Sequence, residues 1–308
     1  MNMQRFLVLV LVVVGLMTSV TSANHTTAAS SRPSALASDM MTTDVPVTIA
    51  SLVSDWTYDG DQQGAQVGYA VGTAGDVNGD GYDDVIVGAP LYSDTTSNEG
   101  VAFVFYGSES GLSTDHDWKA GSGQQGARFG AAVGTAGDVN DDGYDDVIVG
   151  AYAYTKGQQG QSEEGRVYVF YGSVSGLSTT PDWILEGDQS QAHFGTSVGT
   201  AGDVNNDGYD DIIVGAPQHD NGETNEGRAY VFLGFEDGQT TTLFWSAEGD
   251  QAYALFGASV GMAGDVNDDG YGDVIVGAPR YDHDEKDEGA AFVFYGSDSI
   301  ISGSWMTE

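Results

Sequence analysis

Oxygen-bearing side chains recur at one fixed spacing four times in this 308-residue chain. The phrases are Asp76-Val77-Asn78-Gly79-Asp80-Gly81-Tyr82-Asp83-Asp84 and Asp138-Val139-Asn140-Asp141-Asp142-Gly143-Tyr144-Asp145-Asp146. The third is Asp203-Val204-Asn205-Asn206-Asp207-Gly208-Tyr209-Asp210-Asp211, and the fourth Asp265-Val266-Asn267-Asp268-Asp269-Gly270-Tyr271-Gly272-Asp273. Carboxylate or amide oxygens at positions 1, 3, 5 and 9, with Gly at 6, are the layout of a loop that wraps a hard cation. Asp, Asn and Asp at 1, 3 and 5 alternate along a tight turn toward one centre. Gly at 6 lets the backbone fold back without a Cβ clash. Tyr at 7 is read as giving its backbone carbonyl and Asp at 9 a carboxylate. That supplies roughly 6–7 oxygens, which suits Ca²⁺ better than the stricter octahedron of Mg²⁺. A lone Asp/Gly stretch is an ordinary solvated turn; four copies in register are not.

Other chemistries fit less well. Cysteine is absent and the five His (25, 116, 193, 219, 283) show no ligand spacing, so nothing favours Zn²⁺. His219 and His283 stand among acids and read as solvated loop residues. An EF-hand needs Glu at position 12, where this chain has Val87, Val149, Val214 and Val276. Position 8 holds Asp83, Asp145 and Asp210 but Gly272 in the last copy, and reads as a surface charge. Three carboxylates within about 5 Å repel by roughly 3 kcal/mol per pair at an effective dielectric near 20, so a bound cation would stiffen each loop.

Two apparent catalytic motifs are decoys. Ser197 and Ser259 sit in Gly-x-Ser-x-Gly, yet the equivalent residues of the first two repeats are Ala70 and Ala132, and a cation loop follows where a hydrolase has a helix. Gly121-Ser-Gly123-Gln-Gln-Gly126 matches a dinucleotide fingerprint but has neither the helix nor the acidic partner. The chain reads as non-enzymatic.

The elements that position the loops are repetitive. The first Asp of each loop recurs at separations of 62, 65 and 62 residues. Upstream lies an apolar-Gly pair: Val67-Gly68, Phe129-Gly130, Phe194-Gly195 and Phe256-Gly257. Downstream a β-branched run ends in Gly-Ala-Pro, except that Tyr152 replaces one Pro. A third apolar run follows Glu99, Glu164, Glu226 or Glu288 and its Gly; those glutamates are read as structural, capping a hairpin or touching a neighbouring repeat. Trp follows at 56, 118, 183, 245 and 305. Four short strands per repeat, without helical periodicity, predict an all-β β-propeller of four-stranded antiparallel blades.

The succession Phe-Gly, Asp-x-Asn-x-Asp-Gly-x-x-Asp, Gly-Ala-Pro and Phe-Tyr-Gly-Ser resembles the FG-GAP repeat of the integrin alpha-chain β-propeller, from about Ser51 onward. Val67 and Tyr152 depart from it, and neither is a proposed ligand. The resemblance implies a ring of seven blades and a loop face that binds protein ligands. Five Trp for four loops suggest four blades of such a larger ring, or a ring closed by another chain, with association through the open ends.

The predicted domains are a secretory signal over 1–23, a Ser/Thr-rich leader over 24–50 and the propeller over 51–308, with repeats at about 51–115, 116–180, 181–242 and 243–308. Arg5, an apolar run over 6–17 and Thr21-Ser22-Ala23 carry the signal reading. Asn24-His25-Thr26 is formally a glycosylation sequon. The formal charge of −37 excludes nucleic acid, whose binding needs a basic face. Four Ca²⁺ would bring it to about −29, and the remaining acidity suits salty surroundings, where screening relieves self-repulsion.

In antiparallel blades the A–B turns, which hold the cation loops, lie on the face opposite the B–C and D–A loops. Those loops, 91–100, 152–165, 218–227 and 280–289 between strands B and C and 60–66 and 187–193 between D and A, are the expected site for an extracellular protein or glycan. Tyr92, Tyr152, Tyr154 and Tyr281 lie among them. The leading reading is a secreted, calcium-binding module for adhesion or recognition. The alternative is a non-catalytic carbohydrate-binding or envelope scaffold protein.

Overall fold

The computed structural model describes residues 55–157, 162–236 and 243–299, all within the compact unit Val53–Glu308. The expected signal and leader, and the strand expected around Trp305, lie outside the described residues. The described residues form fifteen strands and no helix.

Blade 1 is built from β1 (Ala70–Gly75), β2 (Asp84–Ala89), β3 (Val101–Phe105) and β4 (Trp118–Gly121). Blade 2 has β5 (Ala132–Gly137), β6 (Asp146–Ala151), β7 (Arg166–Phe170) and β8 (Trp183–Glu186). Blade 3 has β9 (Ser197–Gly202), β10 (Asp211–Ala216), β11 (Arg228–Phe232) and β12 (Leu243–Glu248). Blade 4 shows β13 (Ser259–Gly264), β14 (Asp273–Ala278) and β15 (Ala290–Phe294). Each sheet is antiparallel with its strands in sequence order, the arrangement of propeller blades.

The β-branched runs become the second strand of each blade, and in blades 1 to 3 that strand is covered on both faces, whereas in blade 4 Ile275 is exposed. Ile86, Ile148 and Ile213 are fully buried, as are Val147, Val149, Ile212 and Val214 facing the other way. The Val-Gly-Thr-Ala strands β1, β5 and β9 lie where successive blades converge, and small side chains permit the approach. A shared register shift between Thr73 and Gly75 in β1, and at the matching places in β5 and β13, turns the chain out of the ladder into the cation loop.

The Phe-Gly and Gly-Ala landmarks are two sides of one seam. Gly130 N–H donates to Gly150 O within blade 2 (3.0 Å). The Gly130 carbonyl in turn passes over Gly88 of blade 1 so closely that a Cβ there would collide with it. Phe129 is fully buried between blades 1 and 2, against Tyr168 (ring centroids 5.1 Å apart). Val67 takes the place of that Phe in blade 1 and is only half-buried.

Two expectations need correction. His219 is 5% exposed and lies edge-on to Tyr230, so it is a core residue and not a solvated one, whereas His283 is exposed as expected. The cause is the tight turn after β10, where His219 N–H donates to Ala216 O and folds the imidazole under the loop. The position-8 aspartates Asp145 and Asp210 are half-buried and contact the preceding blade, as described below; Asp83 alone is the exposed charge expected.

Candidate metal centres

Each loop folds around its own side-chain oxygens. In loop 2, Asp138 Oδ1 accepts the N–H of Asp142 (3.1 Å) and Oδ2 that of Gly143 (2.8 Å). Asn140 Oδ1 also accepts from Asp142 N–H, and Asp142 Oδ1 from Tyr144 N–H (both 3.1 Å). The same four bonds recur in loops 1, 3 and 4. Positions 1, 3 and 5 therefore turn inward together, as their spacing predicts. Position 4 takes a left-handed backbone in every copy, with φ of 72° at Gly79, 56° at Asp141, 57° at Asn206 and 59° at Asp268. Gly, Asp and Asn are the residues that tolerate it, a constraint the sequence reading did not extract. Gly at position 6 has φ between 87° and 97°.

Position 9 is fully buried in all four loops. Asp146 Oδ2 accepts Val139 N–H from position 2 of its own loop, and Oδ1 accepts Gly172 N–H after β7 (3.0 and 2.9 Å). Asp84, Asp211 and Asp273 repeat both bonds. This carboxylate ties the loop to strands two and three of the blade. Burial pushes its pKa up, to about 6 for Asp84 and about 8 for Asp146 and Asp211, despite the two N–H donors. A carboxylate so placed lacks a positive neighbour. The donor set, carboxylates and one amide with no nitrogen or sulfur, fits a hard divalent cation. Asp at 1, Asn at 3, Asp at 5, the Tyr carbonyl at 7 and Asp at 9 are the groups that would hold it.

Position 8 joins neighbouring loops. Asp145 Oδ2 accepts the N–H of Asp76 (2.8 Å), and Asp210 Oδ2 that of Asp138 (3.0 Å). Burial raises both pKa values against these donors. Blade 4 has Gly272 instead, and there Met262 Sδ fills the space beside Gly202 that Asp145 and Asp210 fill beside Gly75 and Gly137. Among the described residues, three acidic side chains converge within 4.8 Å at Glu226, Glu248 and Asp250, away from the loops. Glu248 there already meets Arg228 (3.3 Å) and Asn221 (2.7 Å).

The recurring glutamates do both things expected of them. Glu99, Glu164 and Glu226 are 1% exposed. Glu99 Oε1 accepts the N–H groups of Asp94, Thr95 and Thr96, and Oε2 their hydroxyl neighbours, so the carboxylate caps the B–C loop from beneath. These bonds outweigh its burial and lower its pKa. Glu288 caps its loop through His283, Asp284 and Glu285. The backbone carbonyls of Glu99, Glu164 and Glu226 also accept Phe129, Phe194 and Phe256 N–H from the next blade. The loop tyrosines are half-buried. Tyr154 lies under the Arg166 guanidinium (3.6 Å), Tyr92 packs on Phe103 and Tyr281 on Phe292.

Ser197 and Ser259 open β9 and β13 as strand residues, and Ser197 Oγ donates to Gly257 O (2.8 Å). No helix among the described residues is long and apolar enough to cross a membrane.

Comparison with known proteins matches the FG-GAP repeat at residues 67–105, 129–170, 194–232 and 256–294, each running from the apolar-Gly pair to the end of the third strand. The chain is 36% identical to integrin alpha-4 of Xenopus laevis over 219 residues, covering 70% of this chain and 20% of that protein. It is 34% identical to integrin alpha pat-2 of Caenorhabditis briggsae over 226 residues (69% and 18%), and 35% identical to integrin alpha-V of Gallus gallus over 174 (54% and 16%). The matched part thus spans a fifth or less of these relatives.

Proposed function

This chain belongs to the FG-GAP repeat family, with integrin alpha relatives, and from that premise we propose that it is a secreted adhesion or recognition module that binds four Ca²⁺. One cation is held in each A–B loop, by Asp76, Asn78, Asp80, Tyr82 and Asp84 and their counterparts. The observation that carries the reading is the inward turn of positions 1, 3 and 5 in four loops, each backed by a buried carboxylate whose pKa is raised in the first three. The cation is structural: it supplies the positive charge those carboxylates lack and braces one face of the propeller. The ligand is an extracellular protein, met by the B–C and D–A loops on the other face. A non-catalytic role rests on the family and on strand-borne serines in place of a nucleophile elbow.

Equilibrium dialysis with metal quantification tests the cation reading, which expects four Ca²⁺ per chain and three after Asp138→Ala with Asp142→Ala. Binding of none would overturn it. For the ligand, a surface-protein pull-down is compared with a glycan array, using chains whose 91–100 and 280–289 loops are exchanged for Gly/Ser. Loop-dependent protein capture supports the reading, and glycan capture replaces it with the carbohydrate one.

A further inference from the structure

The position-9 aspartates of the four loops are strung on one continuous line of hydrogen bonds. In loop 1, Asp84 Oδ2 accepts Val77 N–H (3.0 Å). The carbonyl of the same Val77 accepts Ser173 N–H from blade 2 (3.0 Å). The residue before Ser173, Gly172, donates its N–H to Asp146 Oδ1 in loop 2 (2.9 Å). From Asp146 Oδ2 the line goes on through Val139, then Phe235 and Gly234, to Asp211 Oδ1. From Asp211 Oδ2 it runs through Val204, then Ser297 and Gly296, to Asp273 Oδ1. Every link measures 2.9 or 3.0 Å. Val77, Val139, Val204 and all four aspartates are fully buried, so water does not compete for these bonds.

A second connection, through position 8, joins some of these loops and not others. Asp145, beside Asp146 in the chain, accepts Asp76 N–H through Oδ2 (2.8 Å) and gives its own N–H to Asp76 O (3.2 Å). Both backbone groups of Asp76 are thus held from the next blade, while its two carboxylate oxygens gather the N–H groups of Gly79, Asp80 and Gly81 in loop 1. Asp210 holds Asp138 in the same two ways, at 3.0 Å each. Between loops 3 and 4 only the backbone bond survives, from Gly272 N–H to Asp203 O (2.7 Å). The carboxylate is absent there, and Met262 takes its room beside Gly202.

We infer that the four loops bind Ca²⁺ cooperatively, with Asp145 and Asp210 as positioning residues for the site of the preceding blade and with the weakest coupling between loops 3 and 4. The inference rests on the cation reading above. Repulsion among three carboxylates opens a loop unless a positive charge draws them together, so each loop has an open and a gathered arrangement. In loop 2 the gathered arrangement fixes Asp146, and through Gly172 and Ser173 it fixes the carbonyl of Val77. It also fixes Asp145, and with it both backbone groups of Asp76. Part of the ordering that loop 1 needs is then already done, and loop 1 takes its own Ca²⁺ more tightly. Linkage makes the effect mutual, so loop 1 favours loop 2 by the same factor. Between loops 3 and 4 the position-9 line is intact but the position-8 carboxylate is missing, and the coupling is smaller.

Equilibrium dialysis of the full chain against Ca²⁺, with bound metal quantified, is expected to give an isotherm steeper than that of independent sites. Asp142→Ala disables loop 2, and is expected to weaken the mean affinity of the remaining sites about 5-fold. Asp269→Ala disables loop 4, and is expected to weaken the remaining sites clearly less. Asp145→Ala removes no proposed ligand. It is expected to keep the wild-type number of Ca²⁺ per chain while flattening the isotherm, and Asp145→Asn, which retains an acceptor oxygen, to restore the slope. A merely structural Asp145 would lower the melting temperature in chelator and leave the slope as it was, and an Asp145→Ala isotherm as steep as wild type therefore overturns the positioning role. Unchanged affinity of the remaining sites in both loop variants overturns the coupling while the cation reading stands. A chain that binds no Ca²⁺ overturns both.

Discussion

The carboxylate of Asp210 reaches back across a blade junction to accept the backbone N–H of Asp138, 3.0 Å away and 72 residues earlier. The first residue of one loop is thus held by the eighth residue of the next, and any movement of one loop is mechanically linked to the placement of its neighbour.

Position 8 should matter in proportion to what it touches. Asp210→Ala removes a charged acceptor from a half-buried N–H and is expected to cost about 1–2 kcal/mol in urea unfolding. Asp83→Ala, at an exposed carboxylate, is expected to stay within about 0.5 kcal/mol. Equal effects would show that the inter-blade bond contributes nothing.

Position 9 should matter more. Asp146→Ala strands the buried N–H groups of Val139 and Gly172 and is expected to cost about 2–4 kcal/mol, since each unsatisfied group carries its desolvation penalty. Asp146→Asn keeps one acceptor oxygen and is expected to fall between. Urea midpoints of the two variants, with Ca²⁺ and with chelator, check the order.

Chelation should lower the melting temperature. For Kd values of 10⁻⁴–10⁻³ M and about 2 mM Ca²⁺, linkage gives roughly 0.6–1.8 kcal/mol per site. Scanning calorimetry with and without a chelator measures this, and an unchanged midpoint would refute a structural cation.

His219 should make stability fall on the acid side. Burial, and then the Arg228 charge, hold its pKa below the ordinary 6.5, against Asp188, Glu248 and Glu226. The unfolded chain therefore takes a proton more readily than the folded one as pH drops below about 6.5, and stability present above that value declines below it. Carboxylates titrate over the lower part of the same range, so the quantity to follow is the difference between wild type and His219→Phe. Wild type is expected to lose ground to the variant between pH 7 and pH 5.5. A constant difference would mean that the imidazole does not titrate across unfolding.

What the sequence disclosed was whatever the chain writes locally. Asp at 1, Asn at 3 and Asp at 5 bond the next few backbone groups of their own loop, so their spacing carries the geometry. The strands announced themselves through Val-Ile-Val runs bounded by Gly. Asp145 and Asp210 look like surface charges because their partners, Asp76 and Asp138, lie a whole repeat away, and an acid in an acidic loop looks solvated. His219 looks solvated for a different reason: its neighbour Asp220 is exposed, while its own imidazole lies edge-on to Tyr230 on the next strand. The exchange of Gly272 and Met262 in blade 4 is intelligible only once the two repeats face each other.

The glutamate beneath each B–C loop has a consequence for how such a protein changes over time. Glu99 and its counterparts recognise the loop through backbone N–H groups, which every residue except proline supplies, and they do so from a fixed place beside the third strand. Apart from bonds such as those of the Thr95 and Thr96 hydroxyls, which the same carboxylate accepts, and of the Ser93, Asp220 and Asp282 side chains, which accept loop N–H groups, the outward side chains are left uncommitted to the loop's shape. The remaining loop positions can therefore be rewritten one residue at a time without reopening the folding problem, and two descendants of one ancestor can diverge in their loop surfaces while keeping the same skeleton.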